Sequence, residues 1–197
     1  MSLHKLLQHV CKRYQKQHSN IPHTLLDWAA LFLPHHFSKP PSHMHHWLAK
    51  QLEHFYTQRG TKLNVLAPRN SAKSTIAALA YPLREILTKR EPYIWIISDT
   101  MSQAHTHLAN IKTELTDNPY LAEVYPDATG KGNTWRDGTF RLRNGGIIEA
   151  FGTGQRLRGR KRGENRPTLI ICDDLQNDRH TVSAEAREIR WKWQYGW

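Results

Sequence analysis

Two runs, YIWIIS at 93–98 and TLIIC at 168–172, are apolar at almost every position. A strand with one wet face alternates apolar and polar residues; a continuous apolar run fits a strand covered on both faces, as in parallel sheets clad by helices. These two runs therefore call for an α/β architecture. The segments between them agree. A helix is expected from about Lys73 to Leu87, leading into the first run. Another is expected from about Ser102 to Thr116, ending near Asn118-Pro119 as helices do before proline. Leu63–Ala67 reads as a further strand. Phe140–Arg143 and Ile147–Phe151 flank Asn144-Gly145-Gly146, the pattern of a β-hairpin.

Residues 1–60 read as a separate helical region. Leu3, Leu6, Leu7, Val10 and Tyr14 share one helical face. Asp27–Leu33 is a short apolar helix that stops before Pro34. Ser42 is placed to cap a helix carrying Trp47, Leu48, Leu52 and Phe55, with Gly60 near its end. Residues 61–197 then form the α/β domain, closing with a helix from about Ser183 to Trp197. The tryptophans, Trp191, Trp193 and Trp197 among them, read as core or interface residues rather than base-stacking platforms.

Lys and Arg number 28 against 17 Asp and Glu, a formal net charge of +11. Such an excess points to a polyanionic partner, nucleic acid being the commonest. Cys11 and Cys172 form no spaced set, so neither a disulfide framework nor a cysteine zinc site is indicated. Cys172 reads as a small core residue. The first residues lack a signal peptide's apolar core, and no run approaches the ~20 apolar residues of a membrane span. The default compartment is soluble and reducing. Of 13 histidines, ten fall within residues 1–54. Their spacing, including His35-His36 and His43, His45 and His46, matches no familiar ligand signature, so they read as a polar helical face.

The chemistry concentrates in three places. Between the expected strand and helix lies LAPRNSAKST (66–75), which follows the spacing of a phosphate-binding loop, G-x-x-x-x-G-K-[ST], with Ala67 and Ala72 in the glycine positions. In that reading the backbone of Pro68, Arg69, Asn70, Ser71, Ala72, Lys73, Ser74 and Thr75 surrounds the phosphates of ATP. Lys73 reaches the β- and γ-phosphates and Ser74 ligates Mg²⁺. Read alone, Lys73-Ser74-Thr75 also fits the start of an ordinary surface helix. The second apolar run ends in Asp173-Asp174. There Asp173 would hold Mg²⁺ and Asp174 would act as general base toward the attacking water. Two such elements in this order, with a strand and helix between them, are far less frequent by chance than either alone. The third place is the basic, glycine-punctuated loop 152–167. Its Arg156, Arg158, Arg160 and Arg162 could contact DNA phosphates, or insert in trans at a neighbouring subunit's nucleotide, or form a solvated charge run.

Taken together, APRNSAKST, WIISDT, LANIKTELTDNPYLAEVYPD and GTGQRLRGRKRGENRPTLIICDDLQND resemble the ATPase half of phage large terminase subunits, the motors that package DNA into empty capsids. The resemblance covers about residues 40–197. It implies a P-loop NTPase-like, mostly parallel sheet flanked by helices, with an inserted hairpin, binding ATP and Mg²⁺. Family loops often read APRGxAKST, so Ala72 fits that pattern and Asn70 departs from it. The resemblance further implies that Arg69 acts on the γ-phosphate in cis and that Asp174 occupies the catalytic carboxylate position, more often glutamate. Around HMHHWLAKQLEHF lies the place of the adenine-contacting region. Implied partners are double-stranded DNA, a small terminase subunit, a portal protein and further copies in a ring, in the cytoplasm of a bacterial host. No nuclease constellation follows Asp174, so the expectation is an ATPase part that is incomplete at its C-terminal side. The alternatives are a remnant that binds DNA or nucleotide without effective turnover, and a helicase-like P-loop ATPase.

Overall fold

A computed structural model describes residues 21–175, apart from 56, 58, 59, 156 and 158, together with Glu188. The expected helices within 1–20 and from Ser183 onward, and Trp191, Trp193 and Trp197, lie outside the described residues, Glu188 apart. The fold is α/β, built on a five-stranded mixed sheet in the spatial order Trp135–Arg136, Thr139–Arg141, Ile147–Gly152, Tyr93–Ser98, Leu169–Cys172.

Among the described residues two helices come first, α1 (Leu25–Phe32) and α2 (His43–His54). Thr24 caps α1 by accepting from the Asp27 N–H, so the helix starts two residues before the expected Asp27. Ser42 caps α2 as expected, and His45 completes a capping box by accepting from the Ser42 N–H. Leu48 and Leu52 of α2 are buried, but Trp47 is 47 % exposed and is not a core residue.

No strand forms over Leu63–Ala67. A strand is held by its ladder, and among the described residues this segment pairs with no strand; Leu66 is left 92 % exposed. The helix from Lys73 to Leu87 is present, but its first half is a π-helix (Thr75–Ala80) that passes into α3 (Tyr81–Leu87). Pro82 accounts for the change. It has no N–H to donate, and its ring crowds the carbonyl four residues earlier, at Ala78; a wider upstream turn relieves that crowding.

β1 (Tyr93–Ser98) is buried along its whole length, as its apolar run requires. Helix α4 (Met101–Asp117) follows, capped by Thr100 and ending at Asn118. Asn118 then caps a short helix, α5 (Pro119–Val124), which the sequence reading missed. The hairpin is formed by β3 (Thr139–Arg141) and β4 (Ile147–Gly152), with a small third strand, β2 (Trp135–Arg136), added outside it. β4 and β5 (Leu169–Cys172) run parallel to β1 on either side.

The two faces of the sheet differ. Ile94, Ile96, Ile148 and Ala150 join one large core with Leu25, Trp28 and Leu48 of the N-terminal helices, Leu83 and Ile86 of α3, and Leu108 and Ile111 of α4. Tyr93, Trp95, Ile97, Ile147 and Phe151 form a smaller cluster on the other face with Leu157 and Leu175. All the described helices that share a core with the sheet therefore gather on one face.

Among the described residues β5 sits at an edge of the sheet, which corrects its reading as a fully buried strand. Only Ile171 is buried; Ile170 is 41 % exposed and Cys172 is exposed. An apolar run shows that burial is favourable, not that a neighbour exists on both sides. Cys172 is consequently no core residue.

Candidate nucleotide site

The direction of the helix from Lys73 to Leu87 places the loop before it. At the C-terminal end, the Asn144 amide donates to the Ile86 carbonyl, and a Cβ on Gly146 would come 2.6 Å from the Ile86 side chain. Ile86 thus lies where β4 begins. Lys73 lies at the opposite end of this helical segment from Ile86.

The loop is bent where phosphate loops need glycine. Asn70 has φ 62° and Ala72 has φ 53°, both in the left-handed region. Asn tolerates this conformation; for alanine it costs ~1–2 kcal/mol. The Ser71 hydroxyl donates to the Pro68 carbonyl at 2.7 Å, closing the turn. The Ser71 carbonyl accepts from His45 Nε2–H at 2.9 Å, while His45 Nδ1 accepts from the Ser42 N–H at 3.1 Å. These two bonds define the imidazole tautomer and tie the loop to the start of α2. His45, read from sequence as part of a polar face, positions the loop.

A left-handed residue followed by a helical one turns successive N–H groups toward the same side, a concavity suited to anions. The first helical bond runs from the Ile76 N–H to the Ala72 carbonyl at 3.2 Å. The N–H groups of Lys73, Ser74 and Thr75 therefore precede the ladder. Ser74 caps nothing with its side chain, and among the described residues Lys73 makes no ion pair. Arg69 is exposed beside this concavity. The donors fit a polyphosphate.

If Ala72 is held left-handed, glycine there is the better residue. Ala72→Gly is expected to stabilise the protein by about 1 kcal/mol, the relieved strain less glycine's extra unfolded-state entropy. Urea denaturation checks this; equal or lower stability would show that the loop does not hold this bend.

Three strand ends are knitted together beside β5. The Asp99 N–H donates to the Asp174 carbonyl at 3.1 Å, and the Asp173 N–H donates to the Ile97 carbonyl at 2.9 Å. The Thr153 hydroxyl donates to the Asp99 carbonyl at 2.7 Å. Gly152 is required here, since a Cβ would lie 2.7 Å from the Met101 nitrogen. Asp174 has φ 52°, a strained conformation of the kind that collects at functional sites. Its side chain is exposed, whereas the Asp173 carboxylate lies 3.3 Å from His107 Nε2 on α4. His107 escaped the sequence reading. The signal was available: it falls three residues after Ala104 and four before Ile111, beside the buried stripe of α4. Among the described residues, no hydrogen bond or ion pair joins loop 66–75 to Asp173 or Asp174.

No known family model matches the chain, and no curated protein matches it.

The cations of the basic loop differ in their surroundings. Arg156 and Arg158 lie outside the described residues. Arg162 donates through Nε to Glu149 at 2.9 Å and through a terminal nitrogen to the Thr139 hydroxyl at 3.2 Å. Glu149 also accepts from the Tyr93 hydroxyl, and burial with this bond pushes the Tyr93 phenol up to about 12. Arg162 is thus built into the sheet face. Arg160 lies over the Phe151 ring at 4.9 Å, and Lys161 and Arg166 are exposed. Arg162→Ala is expected to lower stability by on the order of 1 kcal/mol, since half-exposed pairs are worth little more. It should change DNA affinity less than the double replacement of Lys161 and Arg166. Urea midpoints and salt-dependent DNA titrations read the two effects.

A concavity of about 310 Å³ lined by Pro22, His23, Trp28, Arg84 and Arg90 lies at the opposite end of α3 and takes no part in this arrangement. Among the described residues, no helix is long and apolar enough to cross a membrane.

Proposed function

We propose that the chain is the ATPase portion of a phage DNA-packaging motor, a terminase-like P-loop enzyme that uses ATP and Mg²⁺ to move double-stranded DNA into a procapsid. The observation carrying this reading is the left-handed bend at Asn70 and Ala72 directly before the helix that begins at Lys73, in a chain whose strand β5 runs into Asp173-Asp174. In this reading the N–H groups of residues 73–75 and the Lys73 ammonium hold the β- and γ-phosphates. Arg69, by resemblance, faces the γ-phosphate in cis. Ser74 and Asp173 hold Mg²⁺, which when bound neutralises charge on the phosphate oxygens. Asp174 accepts the proton of the attacking water. His107 orients Asp173. The exposed cations of the basic loop, with Arg156 and Arg158, meet DNA phosphates or the neighbouring copy's nucleotide in a ring. The small subunit and portal remain partners implied by the resemblance.

The reading is tested by ATP turnover of the full chain, with and without double-stranded DNA, over a salt series. Turnover that DNA stimulates, and that falls as salt displaces the DNA, is expected. DNA binding with no turnover at any protein concentration would instead favour a non-catalytic DNA-binding remnant, to which the +11 charge alone suffices.

A further inference from the structure

Away from the nucleotide site, two histidines from one end of the fold converge on a buried carboxylate. His35 and His36 lie in the turn after α1, where the His36 N–H bonds to the Leu33 carbonyl at 2.9 Å. Glu114 belongs to the last turn of α4. Its Oε1 is 2.7 Å from His35 Nε2 and 3.2 Å from His36 Nε2. One ligand atom from each of the three residues falls within 4.8 Å of the others. The Glu114 side chain is 6 % exposed, against 54 % and 35 % for the histidines. The group is buried on one side and open to water on the other.

The carboxylate is also held from behind. Glu114 Oε2 accepts from the Asn118 amide at 2.8 Å, and the same amide nitrogen donates to the Phe32 carbonyl at 2.7 Å. Asn118 thus fixes Glu114 and pins the end of α1, from which the histidines hang. A metal ligand oriented by an outer hydrogen bond is the common arrangement in protein sites.

We propose that His35, His36 and Glu114 form a binding site for a zinc-class divalent cation, separate from the Mg²⁺ chemistry of the nucleotide site. Two imidazoles and one carboxylate are a zinc ligand set that leaves a fourth position for water. Zinc with ligands at ~2.0–2.1 Å in a tetrahedron sets them about 3.3 Å apart, so the three atoms, within 4.8 Å of one another, need shift by only about 1 Å to close on it. The cation would replace the two Nε2–H donors now aimed at one oxygen, with each proton moving to Nδ1. Two net charges against one carboxylate leave the water side positive. The site would clamp the α1 turn to α4, about 80 residues apart in sequence, and so stabilise the N-terminal helices on the sheet domain.

The experiment is a Zn²⁺ titration of the full chain in competition with a chromogenic chelator, repeated with H35Q/H36Q and with E114Q. Glutamine keeps a hydrogen-bonding group at each position, and circular dichroism confirms that each variant is folded. The starting protein should bind one equivalent of Zn²⁺ that either variant loses or weakens by at least about tenfold. Zn²⁺ should also raise its melting temperature and leave that of folded H35Q/H36Q unchanged. Equal affinity and stoichiometry in all three proteins would overturn the proposal and assign the binding to other histidines. No binding by the starting protein would likewise reduce the cluster to a hydrogen-bonded histidine–glutamate group.

Discussion

Asp174→Asn is expected to lower ATP turnover by about 10²–10⁴-fold while leaving ATP–Mg²⁺ affinity within a few-fold of the starting value. The amide is nearly the shape of the carboxylate but cannot take a proton from water. Binding should survive because, in the proposed site, the phosphates rest on the loop backbone and Lys73, not on Asp174. The Asp174 carbonyl accepts from the Asp99 N–H and so keeps the strand end in place whatever the side chain. Asparagine also tolerates the left-handed φ of 52°. Single-turnover kinetics beside equilibrium binding separates the two effects. Equal turnover in the variant would remove Asp174 from the chemistry.

Lys73→Ala should produce the converse result. A charge-assisted hydrogen bond to a phosphate contributes roughly 1.5–3 kcal/mol, so ATP–Mg²⁺ affinity should fall about 10- to 100-fold. Lys73 is half-buried at the first helical position, and alanine is a good helix former, so the fold should be retained. The loss should be much smaller for adenosine, which has no phosphates. A comparable loss for both ligands would point to a distorted loop rather than a missing cation. Unchanged ATP affinity would overturn the phosphate-loop assignment.

Local features of the fold were legible wherever one short segment decides its own structure. YIWIIS specified a strand covered on both faces, and it is one. Asn144-Gly145-Gly146 specified the hairpin, and Ser42 the start of α2. Two of the failures share a cause: each depends on what lies beside the segment. Leu63–Ala67 has strand-like residues but no described partner to form a ladder. The run ending in Cys172 is as apolar as its neighbour yet occupies an edge. Periodicity alone gave a regular helix over 73–87, and the backbone cost of Pro82 decided its π form.

The site divides the same way. Alanine in a glycine slot is visible in sequence, but whether it is bent there is a backbone fact, supplied by φ 53° at Ala72. Asn70 shares the bend, so the residue that departs from the family pattern also suits the conformation required of it. His45 and the His35–His36–Glu114 group were beyond reach because their partners are 26 and 78 or more residues away. No spacing rule spans such distances.

The most direct measurement follows the loop's own amides. In a titration of the full chain with ATP–Mg²⁺ watched by NMR, the N–H signals of residues 70–75 are expected to shift together, saturating with the ATP concentration and failing to do so in Lys73→Ala. Shifts confined to other parts of the chain, with the signals of residues 70–75 unmoved at saturating ATP, would contradict the account.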